Sequence, residues 1–196
     1  MPMTADRKFV LQEVEAIDPF DSLEVSHQAD VISWIQSGTE IYRIQKPAVP
    51  LKHLVAYFIV VDRTKMKLLL VDHIKAQLWL PTGGHVEPHE NPRDTVRREI
   101  QEELHMEAEF ITDEPVFVTE TTTVGLTPGH IDVSLWYVVS GDSKKEIDFD
   151  RNEFKACRWF SYEEILNEAI SKLDPHMHRF VRKWLNASGK HSVTRS

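Results

Sequence analysis

Apolar side chains change their spacing along this 196-residue chain, and each change marks an element. Between Asp21 and Gly38, Val25, Ala29, Ile32 and Ile35 recur at helical spacing, which predicts a helix with one buried face. Asp21, with Glu24 three residues on, reads as a capping box, and Gly38 supplies the stop. The stretch TEIYRIQKPAVP then runs into Pro47 and Pro50 and reads as a linker. From Leu54 the spacing gives way to continuous apolar runs. LVAYFIVVD and KLLLVDH have strand length, are separated by the turn-like DRTKM, and predict strands covered on both faces. FITDEPVFVTETTT and HIDVSLWYVV are β-rich and joined by VGLTPG, which has hairpin chemistry. EIDFDRNEFKACRWF supplies a last strand. Ser161 with Glu164 caps a short helix, and Asp174-Pro175 opens a final one whose stripe is Phe180, Trp184 and either Met177 or Val181.

Strands with interleaved helices predict an α/β layered domain. Its parts are an N-terminal extension over 1–50 with one amphipathic helix, a main domain over 51–188 that includes the C-terminal helices, and a loose tail over 189–196. The apolar face of the first helix must cover either its own domain or a second copy, so the chain is expected to be a monomer or a homodimer. The short Lys46–Pro50 connection favours its own domain.

Composition narrows the function. Hydrophobic residues make up 41% of the chain, enough for a sizeable core. The net charge of −8, with no basic block, argues against nucleic acid as a partner. An acidic protein acting on a phosphate compound needs a bridging cation. The single Cys157 cannot form an internal disulfide, and its apolar strand suits packing rather than nucleophilic attack. With no apolar leader at the N-terminus and no apolar stretch of about 18 residues, the expected location is cytoplasmic, away from membrane.

The chemistry concentrates between Gly84 and Met106. Asn91 can cap a helix and Pro92 can occupy its first position. Val96, Ile100 and Leu104 then form one stripe for the core. Glu99, Glu102 and Glu103 share an arc of about 100° on the same helix, where three carboxylates repel one another. A hard divalent cation such as Mg²⁺ explains them, because it takes carboxylate oxygens and keeps waters and substrate phosphates as further ligands. Thr82-Gly83-Gly84 lets backbone approach the same place. Asp132, a carboxylate in an apolar strand, is a candidate for lining the substrate pocket. Trp79 and Leu80 read as core. His85 and His89 are four apart, but Pro88 lies between them in a loop and no cysteine is near, which argues against zinc. The other histidines are scattered and read mostly as surface residues.

The order Gly84-x5-Glu90-x7-Arg98-Glu99-Ile100-x-Glu102-Glu103 resembles the signature of the Nudix hydrolases, which cut diphosphate linkages in nucleoside diphosphate derivatives. Six specified residues in register have a chance of about 10⁻⁵ over all starting points. The resemblance implies a Nudix-like α/β/α sandwich with a mixed sheet. It also implies a small nucleotide-like substrate and Mg²⁺ as cofactor, with Mn²⁺ as a substitute. Glu99, Glu102, Glu103 and the Gly84 carbonyl would hold metal, and Arg98, Glu99 and Glu102 would be catalytic. Glu90 would fix the loop through Arg98. The general base is Glu102 or an acid of a later loop, among Glu146, Asp148, Asp150 and Glu153. A Nudix-fold module that senses a nucleotide without cutting it is the alternative. His105 stands where the signature has glycine; histidine tolerates positive φ, so the expected cost is about 1 kcal/mol or less.

Overall fold

A computed structural model describes residues 3–46, 48–126 and 128–193. The elements in chain order are α1 (Ala5–Ala16), α2 (Ser22–Gln36), β1 (Lys52–Asp62), β2 (Lys67–His73), β3 (Leu78–Leu80), β4 (Thr82–His85), α3 (Pro92–Leu104), β5 (Phe117–Thr122), β6 (Ile131–Ser140), β7 (Phe154–Ser161), α4 (Tyr162–Asn167) and α5 (Met177–Val193). The seven strands form one mixed sheet. β1 and β6 run parallel at its centre, Lys52 opposite Ile131 through Val61 opposite Ser140. Every other pairing is antiparallel. Both central strands are nearly all buried, as their continuous apolar runs require.

The edge of β1 is shared. Its C-terminal end pairs β2, while Val55 to Phe58 pair β4. Pro81 divides β3, which pairs β2, from β4, which pairs β1. Proline has no N–H for a ladder, so the chain changes partner there. This splay carries Gly83 and Gly84 across β1 to the start of the loop before α3.

Two cores flank the sheet. Val96, Ile100 and Leu104 of α3 pack with Leu54, Ala56 and Phe58 on one face, and Val10, Val14, Val31 and Ile35 of the first two helices join them. On the other face, Met177, Phe180, Val181 and Trp184 of α5 and Ile165 of α4 cover Ile59, Leu70, Trp136 and Val138. The helix–sheet–helix order is the one expected. Asn91 caps α3 with its side chain on the Arg93 N–H, and His105 ends it at φ 50°. Ser161 and Glu164 make the expected reciprocal box.

The N-terminal segment differs from its sequence reading in two ways and the C-terminus in one. It holds two helices, because α1 precedes the expected one; α1 offers only Val10 and Val14 as buried apolar residues and has no side-chain cap, so it leaves a faint signal. The buried stripe of α2 is Glu24, Val31 and Ile35, whereas Val25 is exposed and so is Ala29. The stripe turns because α2 lies along the open edge of β5. There Glu24 accepts from the Val118 N–H (3.4 Å), and His27 Nδ1 accepts from the Glu120 N–H (3.3 Å). An edge strand with unpaired N–H groups is a site for unwanted pairing, and these two side chains close it. Arg179 of α5 grips the carboxylate of Asp21 with two bonds (2.7 and 2.6 Å), and Lys183 donates to Glu24 (2.7 Å). The extension therefore packs on its own domain. The third difference is at the C-terminus: α5 continues to Val193, so most of the segment read as a loose tail is helical, and 194–196 lie outside the described residues.

Candidate active site

Two clusters of side chains, one of carboxylates and one mainly of imidazoles, meet at the end of the sheet where β4 enters the loop before α3. The first is helical. Arg98 donates from Nε and Nη2 to both oxygens of Glu90 (3.1 Å each), from Nη1 to Glu99 (2.5 Å), and from Nη2 to the His85 carbonyl (3.3 Å). Glu90 also accepts from the Thr95 hydroxyl (2.7 Å) and the Glu87 N–H (3.0 Å). Burial works against its charge, but these donors prevail and its pKa is lowered. The same bonds hold the Arg98 guanidinium firmly protonated. Arg98 thus ties the loop, β4 and α3 together in one bidentate grip.

Glu99 lies against the glycine pair. A Cβ at Gly84 would sit 1.9 Å from Glu99 Oε1, so only glycine leaves room for this carboxylate. Burial raises the Glu99 pKa, with Arg98 opposing. Glu103 is 6% exposed, and burial, then repulsion from Glu99 and Glu153, pushes its pKa up to about 9. Its Oε2 has no hydrogen-bond partner. Glu102 is more open, with 63% of its side chain exposed, and reaches Arg98 at 3.9 Å. Among the four later acids, Glu153 is the one brought to the cluster, where it repels both Glu99 and Glu103. Asp150 binds the Glu103 carbonyl through its N–H, Asp148 pairs with His105 (3.3 Å), and Glu146 is exposed.

The second cluster lies on the strands. His53 of β1, His85 of β4, His130 before β6 and Asp132 of β6 each place one ligand-type atom within 4.8 Å of the other three. Asp132 therefore faces histidines: it lies 3.2 Å from His53 Nε2 and 3.4 Å from His130 Nε2. Burial drives the pKa of His85 down to about 3 and lowers that of His130, keeping both imidazoles neutral. The sequence reading missed this group. It weighed only His85 with His89 as a zinc pair and set that pair aside; His89 reaches to Asp6 of α1 (2.7 Å). His130-x-Asp132, at the entry to β6, was a local hint. Cys157 is half-buried in β7, and burial raises its thiol pKa to about 12, which suits packing. Trp79 packs edge-on against Phe160 in the second core.

No helix among the described residues is long and apolar enough to cross a membrane. The family model for the NUDIX domain matches residues 52–184. Among solved structures, the chain is similar to a NUDIX-family hydrolase from Clostridium perfringens (22% identity, TM-score 0.54, covering 69% of this chain and 97% of that one). It is also similar to a MutT protein from Methanosarcina mazei Go1 (18%, TM-score 0.53, 69% and 94%) and to an Ap4A hydrolase from C. elegans (17%, TM-score 0.51, 69% and 98%). The matched residues contain the whole helical cluster and its Arg98–Glu90 grip. The chain belongs to the NUDIX family and is a pyrophosphate-bond hydrolase acting on nucleoside diphosphate derivatives.

Proposed function

We propose that the enzyme hydrolyses the diphosphate linkage of a nucleotide derivative with Mg²⁺, or Mn²⁺ in its place, held by Glu99, Glu103, Glu102 and the Gly84 carbonyl. One observation carries the assignment: Glu103 is buried beside Glu99 and Glu153, and one of its oxygens has no partner. Buried like charges are costly unless a cation is shared between them. The donor set is all oxygen, which suits a hard ion. When bound, the ion neutralises phosphoryl oxygens and lowers the pKa of water.

The chain's own residues do the rest. Arg98 positions Glu99 by a direct bond and holds the His85 carbonyl, while Glu90 locks Arg98 from the far side. Gly84 leaves the space in which Glu99 turns inward. Glu153 is the preferred acceptor for the proton of the attacking water, since it faces both metal-ligand carboxylates while Glu102 points largely to solvent. The reaction is attack of water on phosphorus with departure of the second phosphate. The test is a panel of nucleoside di- and triphosphates, sugar nucleotides and dinucleotides, assayed with and without Mg²⁺ for phosphate-bearing products. Metal-dependent release from at least one member is expected. Nucleotide binding without turnover across the panel would return the reading to a sensor.

A further inference from the structure

We propose that His53, His85, His130 and Asp132 form a second metal site, a closed four-coordinate site for a borderline divalent ion such as Zn²⁺, separate from the carboxylates of α3. Geometry comes first. A regular tetrahedron with metal–ligand bonds of about 2.0–2.1 Å has edges of about 3.3–3.4 Å. Three of the six edges here measure 3.0 Å (His53 Nε2 to His85 Nε2), 3.2 Å (His53 Nε2 to Asp132 Oδ1) and 3.4 Å (His130 Nε2 to Asp132 Oδ1). The remaining three stay within 4.8 Å. Small side-chain rotations close them around one centre.

Proton placement gives an independent reason. His53 is fully buried, and its Nδ1 lies 2.8 Å from the Pro50 carbonyl, which can only accept. Nδ1 therefore carries the hydrogen and Nε2 turns a lone pair inward. His130 Nδ1 lies 3.0 Å from the Thr123 hydroxyl, and that hydroxyl is within reach of the His130 carbonyl as its own acceptor. With the hydroxyl hydrogen on that carbonyl, His130 Nε2 is bare as well. Asp132 Oδ1 then faces two nitrogen lone pairs, and it is buried without a hydrogen-bond partner. Three acceptors converge there, and the one N–H within reach, on His85 Nε2 (3.0 Å from His53 Nε2), can serve only one of them, whereas a cation serves all four groups. The outer contacts to Pro50 and Thr123 are the kind that orient metal-binding imidazoles.

Ligand type separates the two sites. Imidazole nitrogens select zinc-like ions, whereas Mg²⁺ prefers the all-oxygen set on α3. Four protein ligands leave no open position, so this ion is structural. It pins β1, β4 and β6 at the point where His85 hands its carbonyl to Arg98. This assigns Asp132 to the metal in place of direct contact with substrate.

The test uses the full chain, stripped with chelator and titrated with Co²⁺ as a spectroscopic stand-in. One equivalent should produce the intense visible bands of tetrahedral cobalt, bleached by one equivalent of Zn²⁺ and untouched by millimolar Mg²⁺. Zn²⁺ should also raise the Tm of the stripped protein by several degrees. Asp132→Asn and, as a more peripheral change, His130→Gln should each weaken Zn²⁺ binding about 100-fold or more, while Glu99→Gln/Glu103→Gln keeps the cobalt spectrum. Weak octahedral bands in the wild type would overturn the site. So would bands that vanish in Glu99→Gln/Glu103→Gln and persist in both strand variants. The wild-type spectrum decides even where a variant fails to fold.

Discussion

The two clusters at this end of the sheet are built in opposite ways. The carboxylates of α3 come from five consecutive residues and share a helical arc, so their repulsion exists wherever that helix forms. The histidines and Asp132 come from β1, β4, β6 and the residue just before β6, separated by up to 79 positions in the chain, and converge because β4 and β6 flank β1. One cluster is carried by local geometry and the other by strand register. The first is anchored by an ion pair at its rim, Arg98 with Glu90, and the second by neutral contacts to Pro50 and Thr123. Substitutions should therefore separate them.

The largest effect is expected from Glu103→Gln. It keeps volume, stands in for the protonated carboxyl of the metal-free protein and removes one metal charge, so the fold should persist while kcat/KM falls by about 100-fold or more. The rise in Tm that Mg²⁺ gives the wild type should disappear with it. Hydrolysis within tenfold of wild type at saturating Mg²⁺ would remove Glu103 from the ligand set.

Gly84→Ala should act on the same cluster at one remove. The new Cβ would meet Glu99 Oε1 at 1.9 Å and Cδ at 2.2 Å, so the carboxylate must swing aside. A loss of about 10- to 100-fold in activity is expected, with the Zn²⁺-dependent shift in Tm retained. Steady-state kinetics beside two melting curves, one with each ion, check both halves.

Proton linkage gives a smaller, graded effect. Glu103 holds a proton up to about pH 9 in the metal-free protein, and a bound cation must displace it. Mg²⁺ affinity should rise by up to roughly tenfold per pH unit between pH 7 and 9, because one proton leaves per ion bound. In the metal-free protein the sign reverses for stability: the folded state binds this proton more tightly than the unfolded chain, so stability falls as pH rises from about 4.5 towards 9. Calorimetric titration at three pH values tests the first statement and thermal melts in chelator the second. A flat Mg²⁺ affinity would mean that Glu103 is already ionised.

The smallest change is expected for His105→Gly. His105 sits at φ 50°, ψ 34°, where glycine is unstrained, and its half-exposed ring pairs with the exposed Asp148. The substitution should stabilise by about 1 kcal/mol or less and leave kcat unchanged. A kinetic defect would show that the helix end is coupled to the site.

Local patterns in the sequence determined a good deal: the β-rich centre, α3 with its cap and buried stripe, the left-handed His105, and the Gly84-to-Glu103 motif that indicated the family. These features depend on short spacings along the chain, which helix and turn geometry convert directly into position. Three things were decided only by the tertiary structure. α2 buries Glu24 and leaves Val25 in water, because its neighbour is a strand edge with open N–H groups rather than an apolar sheet face. Glu153 is the later acid at the cluster because the loop before β7 is tied to α3 by the Asp150 N–H on the Glu103 carbonyl, a placement that no local spacing encodes. His53, His85, His130 and Asp132 meet through pairing register, and a slip of one residue would turn each of those strand side chains to the opposite face.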